Sequence, residues 1–198
     1  TMRAVVVNEF GPIDTHDIEE IKDPTPEANE ILIDVEAIGL NFPDTLMLQG
    51  LYQTRPELPF VPGRDAAGVV IGLGKGVKGF LVGDRVVAQV RWGAYAEKLA
   101  APIDRCFGIP ENMTFFDAAA LGTVYPTAHV ALMIRGQYKK GETVLVNGAG
   151  GGVGLSAVQI ANAKGATVIA GDISEEKRQL ALDHGADHAI DLSVENLR

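Results

Sequence analysis

The chain has 198 residues, 46% of them hydrophobic and 22% charged, enough for one large core or two small ones and too apolar for a disordered segment. Its 26 acidic against 17 basic residues give a formal charge of -9 with no Lys/Arg cluster, so a polyphosphate backbone is repelled and nucleic acid is not an expected partner. One cysteine, Cys106, excludes an internal disulfide framework and a cysteine-based structural zinc. With no apolar run of membrane-span length and no signal-like start, the expected location is the cytoplasm.

Up to about residue 125 the texture is that of a small β-rich domain. Short runs such as ILIDVEAIG, AAGVVIGLG, DRVVAQV and AYAEKLA are separated by Gly, Pro and Asp, and Ile31, Ile33 and Val35 alternate as a half-buried strand requires. In GRDAAG, Arg64 and Asp65 read as a satisfied local ion pair, and GDRV (Gly83 to Val86) reads as a turn before a strand. The segment FFDAAALGTVYPTAHVALMIRG predicts one or two helices broken at Pro126.

The remainder, 126–198, alternates strand and helix. TVLVNGA is an apolar strand and VGLSAVQIANAKG a helix with Val153, Ala157, Ile160 and Ala161 at three-to-four spacing. ATVIAGD is a second strand, SEEKRQLALDHG a second helix and ADHAIDL a third strand. This order predicts a parallel sheet of the α/β class.

Between the first of these strands and its helix lies a glycine loop: Ala149, Gly150, Gly151, Gly152, Val153 and Gly154. Free N–H groups and the helix dipole at such a place favour a pyrophosphate. The spacing G-x-G-x-x-G falls on Ala149, Gly151 and Gly154, with alanine in the first position. Gly151 would let the backbone approach phosphates and Gly154 would let the helix pack close to the strand. The strand, helix and second strand around the loop favour dinucleotide binding over a mere connecting turn.

Asp172 ends the second strand, 18 residues beyond Gly154, where a carboxylate is placed to bond the ribose hydroxyls of NAD and to repel the 2′-phosphate of NADP. Two readings stay open, because Asp172 or Ser174 also suits the N-cap of the helix that follows. Lys177, on the first turn of that helix, is either a partner for a 2′-phosphate or a solvated charge.

Taken together, AIGLNFPDTLMLQGLY (37–52), PFVPGRDAAGVVIGLGKGVKGFLVGDRV (59–86), DAAALGTVYPTAHVAL (117–132) and the glycine loop resemble the amino-terminal part of the medium-chain dehydrogenase/reductase superfamily, and within it the zinc-independent NAD(P)H:quinone oxidoreductases. The resemblance implies a GroES-like β-barrel catalytic domain over 1–125, then a Rossmann domain of which 126–198 is the first βαβαβ half. Substrate and nicotinamide would meet in the cleft between the two domains.

It also bears on metal. Zinc-dependent relatives place a cysteine ligand where this chain has Asn41 and a His-Glu pair where it has Arg64-Asp65, and His16, His129, His184 and His188 are not grouped at ligand spacings, so no zinc is expected. Without a Lewis acid, the substrate should accept hydride readily, as a quinone or an α,β-unsaturated carbonyl does. By similarity, Asn41 and Tyr52 are the candidate donors around the developing oxyanion, with Thr127 near the nicotinamide carboxamide. In the blander reading Asn41 fixes a loop, Tyr52 fills the wall and Thr127 caps a helix. GDISEEK resembles NAD-type alcohol dehydrogenases, which tips the expected cofactor slightly toward NADH. The family's second Rossmann half would follow Arg198, so the 198 residues are expected to be a fragment of the enzyme, itself inactive. The intact protein is expected to be a homodimer, an assembly in doubt for this chain. A 2-alkenal reductase, a cofactor-binding module without turnover and a recruited structural protein are the alternatives.

Overall fold

The computed structural model describes residues 1–194, so the expectation resting on the terminal Arg198 lies outside the described residues. The chain divides into two compact units, Thr1–Thr123 and a second beginning at Val124.

In the first unit, β1 (Met2–Val6) and β2 (Asp17–Ile21) form an antiparallel ribbon. A second, antiparallel sheet is built from β3 (Glu30–Gly39), β4 (Asp65–Leu73), β5 (Arg85–Gln89), β6 (Lys98–Pro102) and β7 (Cys106–Gly108) in the order β6-β3-β4-β5-β7. The period-two pattern read in the sequence is what buries Ile31 and Ile33 on one face, where they join Val70, Val86, Leu99 and Cys106. The β-rich GroES-like fold is present, but the expected barrel is an open sheet among the described residues: edge strands β6 and β7 do not pair, and the ribbon joins the rest through the bridges Ala4 to Ala96 and Val7 to Phe60 and through the Arg3–Glu97 ion pair. The Cys106 thiol is sealed in this core against the Pro102 carbonyl (3.2 Å), and burial, then the charges of Asp104 and Glu30, push its pKa up to about 12.

Two short helices complete the unit. α1 (Phe42–Leu48) was not visible in the hydrophobic pattern, being only seven residues long. α2 (Phe115–Leu121) lays Ala118 and Ala119 on Ala37 and Ala67 of the sheet. The approach is close enough that a Cβ at Gly39 would stand 2.5 Å from the Ala119 carbonyl oxygen.

The second unit opens with α3 (Val124–His129), which runs into a π-helical stretch, Val130–Arg135. The expected break at Pro126 is absent. The interruption falls at Gly122 and Thr123, and Pro126 sits in the first turn of α3, where an N–H has no intrahelical acceptor to lose. Beyond it, β8 (Thr143–Asn147), α4 (Gly152–Ala163), β9 (Thr167–Asp172), α5 (Glu175–Asp183) and β10 (His188–Asp191) form a parallel three-stranded sheet in the order β10-β9-β8. The face that α4 buries differs from the expected stripe. Ser156, Val158 and Ala161 are buried, whereas Val153 is 41% exposed because it lies at the loop end of the helix, beyond the cover of the sheet.

Candidate functional site

Asn41 stands just before α1 with extended backbone, and its N–H donates to Asp44 Oδ2 (2.9 Å), closing the first turn of the helix. Its side-chain amide donates to Asp65 Oδ2 (2.8 Å). Asp65, the first residue of β4, is 1% exposed and is also hydrogen bonded by Thr123. Asp44 is buried as well and accepts a second bond from the Tyr95 hydroxyl (2.8 Å). Tyr95 in turn lies flat on Gly63, whose φ of +91° and the 2.1 Å that would separate a Cβ from Tyr95 Cδ1 leave room for glycine alone.

Burial raises the pKa of both carboxyls. The bonds from Tyr95 and Asn41 to Asp44, and from Thr123 and Asn41 to Asp65, offset only part of that, and the charge of Asp44 raises Asp65 further. The Tyr95 phenol is raised too, first by burial and then by the charge of Asp44 and its bond to it.

Arg64 turns the other way, because neighbouring side chains along an extended chain diverge. Its Nη1 makes a long contact with the Tyr52 hydroxyl (3.4 Å), and its guanidinium carbon is 5.9 Å from the Tyr52 ring centre. The expected Arg64–Asp65 ion pair is therefore not formed. Instead the dipeptide links the two predicted donors: Asp65 holds Asn41 and Arg64 reaches Tyr52. Asp44 and Tyr95 are not among the expected site residues, and Arg64 and Asp65 are expected there only as a structural pair. NFPD carries the capping-box spacing that points to Asp44, and GRDAAG points to Arg64, but nothing near Tyr95 in the sequence announces its role.

The second unit assembles a separate cluster. After β8, Gly148 takes a φ of +70°, and the N–H groups of Gly148 and Ala149 donate to the Gly171 carbonyl on β9 (2.8 and 3.2 Å). Ala149 is fully buried in the sheet core, which explains why a methyl group is accommodated there. Gly151 caps α4 with extended backbone, and a Cβ at Gly154 would lie 2.1 Å from the Gly148 carbonyl oxygen, so the helix packs on the loop without a side chain between them. The first-turn N–H groups of α4, those of Gly152, Val153 and Gly154, have no intrahelical acceptor and face the positive end of the helix dipole, a setting suited to a pyrophosphate.

Asp172 is 6% exposed and accepts from the N–H of Gly150 (3.1 Å) and of Ser174 (3.3 Å). Burial raises its pKa, but the N–H bonds from Gly150, Ser174 and Ile173, together with Lys177, outweigh that and leave it below the ordinary value. Ser174 is the N-cap of α5, accepting from the Lys177 N–H, and the Lys177 stem rests over Gly150. Loop, strand end and helix start are thus tied together. Thr127 is exposed on α3, in the second unit, while Asn41 and Tyr52 belong to the first. Among the described residues no three His, Cys, Asp or Glu side chains are grouped to hold a metal ion.

Residues 27–111 match the model of the alcohol dehydrogenase GroES-like domain, and residues 152–197 match that of the zinc-binding dehydrogenase family. The chain belongs to the medium-chain dehydrogenase/reductase superfamily. Among curated relatives, the quinone oxidoreductase of Mus musculus is 41% identical over 93% of this chain and 56% of its own length. The synaptic vesicle membrane protein VAT-1 homolog of Homo sapiens is 38% identical over 96% of this chain and 49% of its own. The chain therefore spans about half the length of these superfamily members. Of solved structures, the Escherichia coli quinone oxidoreductase complexed with NADPH superposes with a TM-score of 0.93 at 36% identity, covering 100% of this chain and 60% of that one.

Proposed function

We propose that these residues form the GroES-like catalytic domain (1–125) and the first half of the cofactor domain (126–198) of a zinc-independent oxidoreductase that moves hydride from NAD(P)H to a quinone. The observation that carries this reading is the Asn41–Asp65 hydrogen bond: an amide stands where zinc-dependent relatives have a cysteine ligand, and it is bonded to the second residue of the Arg64-Asp65 pair that stands where they have His-Glu. The donors present do not fit zinc, so no step is routed through a metal.

The α4 N-terminus and its glycine loop fit a dinucleotide, whose bound nicotinamide would supply the hydride. Reduction leaves charge on the quinone oxygen. Asn41, its amide held by Asp65, is the first donor assigned to that oxygen. Tyr52, steadied by Arg64, is the second donor, and Thr127 is assigned to the carboxamide. Asp172 tips cofactor choice slightly toward NADH, with Lys177 acting in the opposite sense.

The test is the loss of reduced-nicotinamide absorbance with a naphthoquinone and, separately, with a 2-alkenal, measured on this chain and on any longer species that contains it. Faster turnover of the quinone supports the reading, and faster turnover of the alkenal replaces it with a double-bond reductase. No oxidation by either, with cofactor bound, would leave a binding module. An Asp172→Ala variant with an unchanged NADH to NADPH ratio would remove the NADH preference.

A further inference from the structure

Arg64 is half-buried, and no carboxylate among the described residues lies within 4.0 Å of it or of Arg91. Among the described residues its Nε is buried without a hydrogen-bond partner, and its Nη1 makes only the long contact to Tyr52. Asp44, whose carboxylate feels the charge of Arg64, spends Oδ2 on the Tyr95 hydroxyl and the Asn41 N–H. A half-buried guanidinium that feels the Asp44 charge without touching a carboxylate keeps donors free for an anion from outside.

Beside it is a cavity of ≈ 250 Å³ bounded by Met47, Tyr52, Thr54, Arg64, Arg91 and Trp92. Two cations therefore face one small space in a chain whose formal charge is -9, a local reversal of sign that focuses the field on an anion. The rings of Tyr52 and Trp92 offer flat apolar surface next to the charge. A planar guanidinium fork matches a carboxylate or sulfonate with two parallel bonds.

We infer that this cavity takes a planar aromatic or quinonoid acceptor bearing a carboxylate or sulfonate, with the anion on Arg64, the ring between Tyr52 and Trp92, and Arg91 at the rim. The inference rests on the quinone reading above for the identity of the acceptor and narrows it to charged members of that class.

Trp92 is the single tryptophan of the chain and lines the cavity, so its emission reports occupancy. The probes are naphthalene-2-sulfonate, which accepts no hydride, and neutral 2-methylnaphthalene, each titrated into the chain. The sulfonate is expected to quench saturably with an affinity about tenfold above the neutral ring. Arg64→Gln should erase that difference. Arg64→Lys should keep only part of it, since an ammonium replaces the fork. Arg91→Gln, at an exposed residue, should reduce it about two- to threefold, and decides the matter if Arg64→Gln does not fold. Equal midpoints for the two probes, or selectivity unaltered in Arg91→Gln and Arg64→Lys, would overturn the assignment. Because the sulfonate probe is redox-inert, its binding stands even where quinone turnover fails. Conversely, turnover of neutral and sulfonated naphthoquinones at equal KM would sink the anion site and leave the quinone reading intact.

Discussion

Asp65 in the first unit and Asp172 in the second are nearly equally hidden, at 1% and 6% exposed, yet their carboxyls are displaced in opposite directions. Asp65 takes bonds mainly from side chains and sits near a second buried carboxylate, Asp44, so burial wins and its pKa rises. Asp172 collects backbone N–H groups at a helix start, in reach of Lys177, and they outweigh burial. A small exposed area alone does not set the state of a buried acid; how deeply protein encloses it and the number and kind of donors around it act together, and Asp65 is the more deeply enclosed.

The strongest way to break the comparison is at the glycines that create each setting. Gly154→Val should push a branched side chain into the Gly148 carbonyl, destabilise the second unit by about 3 kcal/mol and abolish nucleotide binding by calorimetry. If the variant binds NADPH as before, the loop is not the phosphate cradle. Next in size, Asp65→Ala should strand the Asn41 amide and cost the first unit about 1–3 kcal/mol in urea unfolding read from Trp92. Asp172→Ala, which frees only the Gly150 and Ser174 N–H groups to water or ligand, should cost the second unit about 1 kcal/mol.

Acidity sharpens the contrast. A carboxyl whose folded pKa is raised contributes stability that is full below its unfolded value, 3.8 for Asp, and is lost as pH rises through the folded pKa. Asp44 and Asp65 therefore favour folding less as pH climbs above 3.8. Asp172, whose pKa is lowered, contributes above 3.8 and loses its contribution as pH falls through its folded value. Trp92-detected unfolding should show the first slope, and Asp44→Asn should flatten it; an unchanged slope would mean that other groups set it. The smallest effect is expected for Lys177→Ala, an exposed charge, at less than about threefold in the NADPH to NADH ratio.

The second unit was legible because its signals are local. Strand, glycine loop, helix and acidic strand end follow one another within a few dozen residues, and only the turn-end exposure of Val153 and the tolerance of Pro126 in the first turn of α3 escaped the pattern. The first unit's site was not legible in the same way. Asn41 bonds a residue 24 positions away and Tyr95 one 51 positions away, so the network exists only after the sheet has formed. Asn41 and Tyr52 were picked out by resemblance, whereas Arg64 and Asp65 were misread as each other's partners because sequence adjacency does not reveal that extended neighbours diverge.

The sealed thiol of Cys106 has a practical consequence. With its pKa near 12 and its sulfur in the sheet core, it should stay silent toward maleimides and iodoacetamide under native conditions. A cysteine introduced at any exposed position would then be the sole reactive thiol without prior removal of the native one. Paired fluorophores or spin labels, one on each unit, would give a direct ruler for the distance between them as cofactor is added.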